Sequence, residues 1–147
     1  MLKKLTAYTL ATCSAILLSS NALSSGLCEK NIITYLVDEI KIQKDEKLKV
    51  ASLVYLSEIS RYSSDVKNSR QSIAEIESLL DIRDDEVKYW TARALGNIGP
   101  GAKSAIPKLK SMLIKSDCLK GSVTSASAIR VALTKLGERE PPHAICH

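Results

Sequence analysis

Among its 147 residues the sequence has no phenylalanine, one tryptophan and two histidines. Both histidines, His143 and His147, stand in the last five residues, so the body of the chain holds no imidazole to serve a serine or cysteine nucleophile. No Gly-x-Ser-x-Gly turn is present to expose a serine either. His143, Cys146 and His147 are close in sequence, but a structural zinc needs a fourth ligand and none lies near them. A haem-attachment motif is excluded because no cysteine stands three residues before Cys146. The sequence therefore predicts no catalytic, cofactor-binding or metal-binding residue. Clean alternation of apolar and polar residues is also missing, which leaves no argument for a strand.

A dense basic stripe is absent as well. The formal charge is +5, from 21 basic and 16 acidic side chains. Lys3 and Lys4 belong to a segment that reads as a secretory signal. Without them 19 basic side chains face the 16 acidic ones, a mild balance of about +3 and not the footprint of a dedicated nucleic-acid binder.

The signal reading rests on three features of residues 1–22. Lys3 and Lys4 supply the positive start, Leu5 to Leu18 an uncharged apolar stretch, and Ser20-Asn21-Ala22 a small-x-small cleavage site. An uncleaved membrane anchor is the rival, disfavoured by the Ser, Thr and Asn that interrupt the run. A lipidated cysteine fits less well. Leu10-Ala11-Thr12-Cys13 has Thr where a smaller residue is usual, and only five residues separate Lys4 from Leu10. Export to the periplasm or outside is the expectation, with a mature domain over residues 23–137 and an extended tail over 138–147.

What is abundant is Ala, Leu, Ile, Ser and Lys, a mixture that favours helices, and the apolar residues recur at helical spacing from Cys28 onward. Six helices are predicted. The first, residues 29–42, carries Ile33, Leu36, Val37 and Ile40 on one side. The second, 46–59, is expected to bury Leu48, Ala51, Ser52, Tyr55, Leu56 and Ile59, with Ser63-Ser64-Asp65 as its stop and the next cap. The third, 66–80, turns Val66, Ile73, Ile76, Leu79 and Leu80 inward. The fourth starts near Asp84 or Asp85 and stripes Val87, Trp90, Thr91, Ala94, Leu95 and Ile98, leaving Tyr89 outside, until Gly99-Pro100-Gly101 ends it. The fifth has Ser104 as its expected cap, Pro107 in its first turn, and Ile106, Leu109, Met112 and Leu113 inward. The sixth, 122–136, presents Ile129, Ala132, Leu133 and Leu136 before Gly137 stops it.

The sequence also repeats. Leu48, Leu56 and Ile59 fall on Val87, Leu95 and Ile98 after a shift of 39, and Ala94, Leu95 and Ile98 fall on Ala132, Leu133 and Leu136 after a shift of 38. A period near forty with two helices per unit is that of helical-hairpin solenoids. Within it, Val87-Lys88, Ala92, Ala94-Leu95-Gly96, Ile98-Gly99, Ala102, Ala105-Ile106-Pro107, Leu109 and Leu113 resemble the HEAT repeat. The flavour is that of the bacterial HEAT-like repeat named after phycobilisome lyases. Thr91 departs from the pattern, which usually has a second Ala there.

The resemblance covers about thirty residues and implies an all-α fold: a short right-handed α-solenoid of HEAT-like hairpins, with about six helices. The second and third helices would form one repeat, the fourth and fifth the next, and the first and sixth would cover the ends. It also implies an interaction scaffold. HEAT-repeat enzymes with an iron centre rely on His-Glu pairs, and this chain has none. Bilin attachment does not suit an exported chain without a chromophore supply.

Cys28, Cys118 and Cys146 remain after signal removal, in a compartment where disulfides persist. The nine residues from Gly137 to Cys146 reach about 30 Å when extended. The last helix is about 24 Å long. The tail can therefore return along it and pair Cys146 with Cys118, contributing roughly 3 to 4 kcal/mol by closing the loop. Cys28 is left over, either buried or linking two copies.

Lys103, Lys108, Lys110 and Lys115 stand opposite Ile106, Leu109 and Leu113, with no acidic residue until Asp117. In HEAT-like solenoids the second helix of each repeat usually lines the concave side. This basic face, extended by Lys67 and Arg70, is the expected contact for an acidic protein, although a solvated lysine face has the same pattern. The partner-binding residues expected are thus Lys67, Arg70, Lys103, Lys108 and Lys110. Nucleic acid or another anionic polymer on the same lysines is the alternative, and an enzyme accessory subunit a third reading.

Overall fold

The computed structural model of the protein describes residues 24–117 and 123–139, with side chains described over 32–115 and 125–139. Within them the chain is helical, with no strand. The signal segment, the tail beyond residue 139 and the side chains of Cys28, Cys118 and Cys146 lie outside the described residues, as does the expected disulfide.

Helix α1 runs Ser24–Ile42, starting five residues ahead of the expected Glu29. Its four predicted core residues, Ile33, Leu36, Val37 and Ile40, are all buried. Helix α2, Glu46–Tyr62, starts where the Asp45 carboxylate accepts from the backbone N–H of Lys47 and Leu48, at 2.9 and 3.3 Å. Those N–H groups have no partner within the helix, so the cap contributes about 1 kcal/mol. Asp84 caps α5, Asp85–Ile98, in the same way through Glu86 and Val87. Lys49 connects the two starts: its ammonium lies 2.8 Å from Glu46 and 3.5 Å from Asp84. The hydrogen bond it donates to Glu46 raises its pKa above the ordinary lysine value, against a smaller opposing effect of burial.

The third expected helix is two helices, α3 over Ser64–Asn68 and α4 over Arg70–Ser78, followed by a 3-10 turn at Leu79–Asp81. The break falls at Ser69, whose backbone is extended (φ −93°, ψ 108°) and whose hydroxyl accepts from the Ser72 N–H at 3.2 Å. Short polar side chains such as Asn68 and Ser69 offer the backbone hydrogen bonds that compete with the helix ladder. The predicted inward residues are unaffected: Val66, Ile73, Ile76, Leu79 and Leu80 are all buried.

After α5 the chain reverses at Gly99, which takes φ 75°, a value that strains any residue with a Cβ. Gly99–Ala105 is a 3-10 segment interrupted at Ala102, and α6 follows over Ile106–Asp117 with Pro107 in its first turn. Ser104 is not the cap of α6: its hydroxyl donates to the Glu77 carboxylate at 3.3 Å. Helix α7 covers Val123–Lys135 and ends ahead of Gly137, which also has a positive φ.

Helices α2, α5 and α7 lie side by side with α5 in the middle. On the other side of this row α1 packs on α2 and α4, α4 packs on α5, and α6 packs on α7. The core between them is aliphatic, centred on Leu56, Ile76, Leu95, Leu109, Ile129 and Leu133, each fully buried. Small residues set the closest seam. A Cβ on Gly96 would fall 3.0 Å from Ala132 Cα and 3.2 Å from its Cβ, so the missing methyl lets α5 and α7 approach.

Two packing expectations change. In α2 the buried residues are Leu53, Leu56, Ser57 and Ser60, with Ile59 half-buried, while Leu48, Ala51 and Tyr55 are exposed and Ser52 is only partly covered. The helix is rotated so that its small serines meet α5, where close approach rewards volume more than hydrophobicity. The Asn97 amide donates to the Ser57 carbonyl and hydroxyl at 3.1 and 3.2 Å across that seam. In α5, Trp90 is half-buried instead of sitting in the core, and Tyr89 is half-buried beside it. Thr91 is fully buried, and its hydroxyl finds no hydrogen-bond partner among the described residues.

Candidate functional site

The five cations expected to bind a partner separate into two groups. Lys67 is on α3, Arg70 opens α4, and Lys103 lies in the 99–105 segment, which packs against α3. A Cβ on Gly101 would fall 2.6 Å from the Lys67 carbonyl oxygen, which puts the backbones of Lys67 and Lys103 on touching segments. Lys67 is half-buried, Arg70 and Lys103 are exposed, and none of the three forms an ion pair among the described residues. Lys108 and Lys110 are differently placed. The Lys108 ammonium is 2.8 Å from the Asp81 carboxylate and 3.4 Å from the Glu77 carbonyl oxygen, and the Lys110 ammonium is 2.7 Å from Glu138. Such half-exposed pairs add little stability, but they neutralise the charge a partner would meet. The linear sequence around α6 hides both carboxylates.

A second surface comes from the rotation of α2. Leu48, Tyr55 and Tyr62 recur every seven residues, a spacing that keeps them within about 40° of one line along the helix. They are 37%, 54% and 75% exposed, with the small Ala51 exposed between the first two. Helix α2 is thus apolar on two sides: one faces the core through Leu53 and Leu56, the other faces solvent. Glu46, Lys47, Lys49, Glu58 and Arg61 keep the rest of the helix surface polar, so the three large side chains form a narrow exposed line on it. The Arg61 guanidinium stacks over the Tyr62 ring at 5.7 Å and puts a charge at the end of this stripe.

No family model, curated protein or solved structure matches the chain. Its own geometry is what bears on function. No group of three or more metal-ligating side chains forms among the described residues, and no described helix is long and apolar enough to cross a membrane. Sequence reasoning missed the outer stripe because it read Leu48, Ala51 and Tyr55 as the inner face and ended the helix at residue 59, ahead of Tyr62. The signal was the surplus: Leu48, Ala51, Leu53, Val54, Tyr55, Leu56 and Ile59 are more apolar positions than one buried face can hold.

Proposed function

We propose that the chain is an exported, non-enzymatic interaction module, a short right-handed solenoid of HEAT-like hairpins that docks a protein partner on the outer face of α2. The exposed line Leu48, Tyr55 and Tyr62 carries this reading. Tyrosine covers a large contact area while fixing only two torsions, and it is enriched in interface cores. Lys67, Arg70 and Lys103 give a separate contact for an acidic part of the partner, and Lys108 and Lys110 contribute only by exchanging an internal carboxylate for an external one.

Several observations support the repeat. Asn97 hydrogen-bonds Ser57, 40 positions earlier, and accepts from the Lys135 ammonium, 38 positions later, at 3.1 Å. The second separation is a period of the sequence, and the first differs by one residue from the 39-residue shift. Asp85 and Ser125 are also hydrogen-bonded, again 40 positions apart. Residues about one period apart on α2, α5 and α7 thus lie side by side, which supports reading the helices as consecutive hairpins of one stack.

The test is capture of partners by the immobilised protein in the exported compartment, comparing native chain with a Tyr55→Ser/Tyr62→Ser variant and a Lys67→Glu/Lys103→Glu variant. Both variants change exposed or half-exposed positions, so native circular dichroism is expected of each. The expected result is a partner lost from the tyrosine variant and weakened by the charge reversal. Capture that is the same with all three proteins refutes the assignment. Mass spectrometry of the exported chain, expected to begin after Ala22, tests the export reading.

A further inference from the structure

On the side of the row where Arg61, Tyr89 and Val131 are found, the end of α2 and the middles of α5 and α7 enclose a cleft of about 220 Å³. The close approach at Gly96 and Ala132 forms part of its lining, and Arg61, Arg93 and Lys135 reach it from three different helices. No acidic residue lines it.

Each cation here is held by a neutral group. The Arg93 guanidinium stacks 5.0 Å over the Trp90 ring and donates to the Tyr89 hydroxyl at 3.1 Å. Lys135 donates to the Asn97 carbonyl oxygen at 3.1 Å, and Arg61 lies on the Tyr62 ring. Three lysines elsewhere, Lys49, Lys108 and Lys110, each face a carboxylate instead. Three like charges at one concavity repel one another, and the field they sum to is strongest for an anion entering between them. Neither guanidinium forms an ion pair among the described residues, so each keeps N–H groups for the two-pronged recognition of a carboxylate or phosphate.

We infer that this cleft binds a compact oxyanion with two or more negative charges, as found on a phosphate monoester or a dicarboxylate. At about 220 Å³ the cleft has room for such a group and a few attached atoms. The cleft adjoins the end of the α2 stripe through Arg61 and Tyr62, but binding of an anion in it does not depend on a protein partner.

Trp90 is the only tryptophan in the chain and carries Arg93 on its face, so its emission reports occupancy directly. The experiment titrates the purified protein with inorganic phosphate and, separately, with succinate, against chloride at matched ionic strength. Saturable changes in Trp90 emission and calorimetric heat are expected below about 10 mM of at least one of them. Saturation by phosphate alone identifies phosphate recognition, and saturation by succinate alone identifies dicarboxylate recognition. Arg61→Gln, which leaves the Trp90 contact intact, is expected to weaken binding about tenfold or more, as is Arg93→Gln read by calorimetry, while Lys44→Gln, at an exposed position between α1 and α2, binds as the native protein does. Absence of saturation with both anions, an equal response to chloride, or undiminished binding by both arginine variants overturns the inference.

Discussion

Replacing Thr91 by valine should make the protein more stable. Thr91 is fully buried on the central helix, and its hydroxyl meets no hydrogen-bond partner among the described residues. A buried polar group without a partner costs about 1–3 kcal/mol of lost hydration. Valine keeps the branched shape and one methyl of threonine, puts a second methyl where the hydroxyl was, and has a similar helix propensity. The hydration cost disappears and little else changes. Taking the lower part of that range, because an added methyl must still be accommodated, the expected gain is about 1 kcal/mol. For a domain of this size that raises Tm by about 3 to 6 °C. Urea unfolding followed by circular dichroism should show a higher midpoint with an unchanged slope. Thr91→Ala, the residue expected from the HEAT-like pattern, also removes the hydroxyl but gives up methyl contacts, so it should fall between threonine and valine. A valine variant less stable than native by about 1 kcal/mol would refute the reasoning, since the hydroxyl must then make a bond worth keeping.

Two further substitutions test the packing and the caps. Gly96→Leu drives a side chain into Ala132, where even a Cβ has only 3.0 Å, and should cost about 1–3 kcal/mol or more in a thermal melt. Asp84→Ala removes the acceptor for the Glu86 and Val87 N–H groups together with a partner of Lys49, and should cost about 0.5–2 kcal/mol in urea, nearly all from the cap.

The period near forty was legible in the sequence because it is written in large residues: Leu95 and Ile98 have counterparts in both neighbouring helices, and Leu56, Leu95 and Leu133 are all fully buried. The caps at Ser63 and Asp84 were legible for a local reason, since a capping side chain bonds N–H groups two or three residues ahead. Features set by tertiary contact were hidden. Nothing near Ser57 and Ser60 announces that a helix forty positions away will press on them, so the larger Leu48 and Tyr55 looked like the inner face. The partners of Lys108 and Lys110 are 27 and 28 positions distant, at Asp81 and Glu138, beyond any local view of α6. The cleft was half visible: the 38-residue shift maps Asn97 onto Lys135, and that pair does meet, but Arg61 and Arg93 join it only when three helices come together.

The central position of α5 makes the chain unequally tolerant of changes in length. One residue inserted in the turn between α1 and α2 displaces only a loop. The same insertion midway through Asp85–Ile98 would turn everything after it by about 100°, and Asn97 would no longer face Ser57 nor Ser125 face Asp85. Both seams would fail together, so natural variation in length should gather in the connections and leave this one helix at fourteen residues.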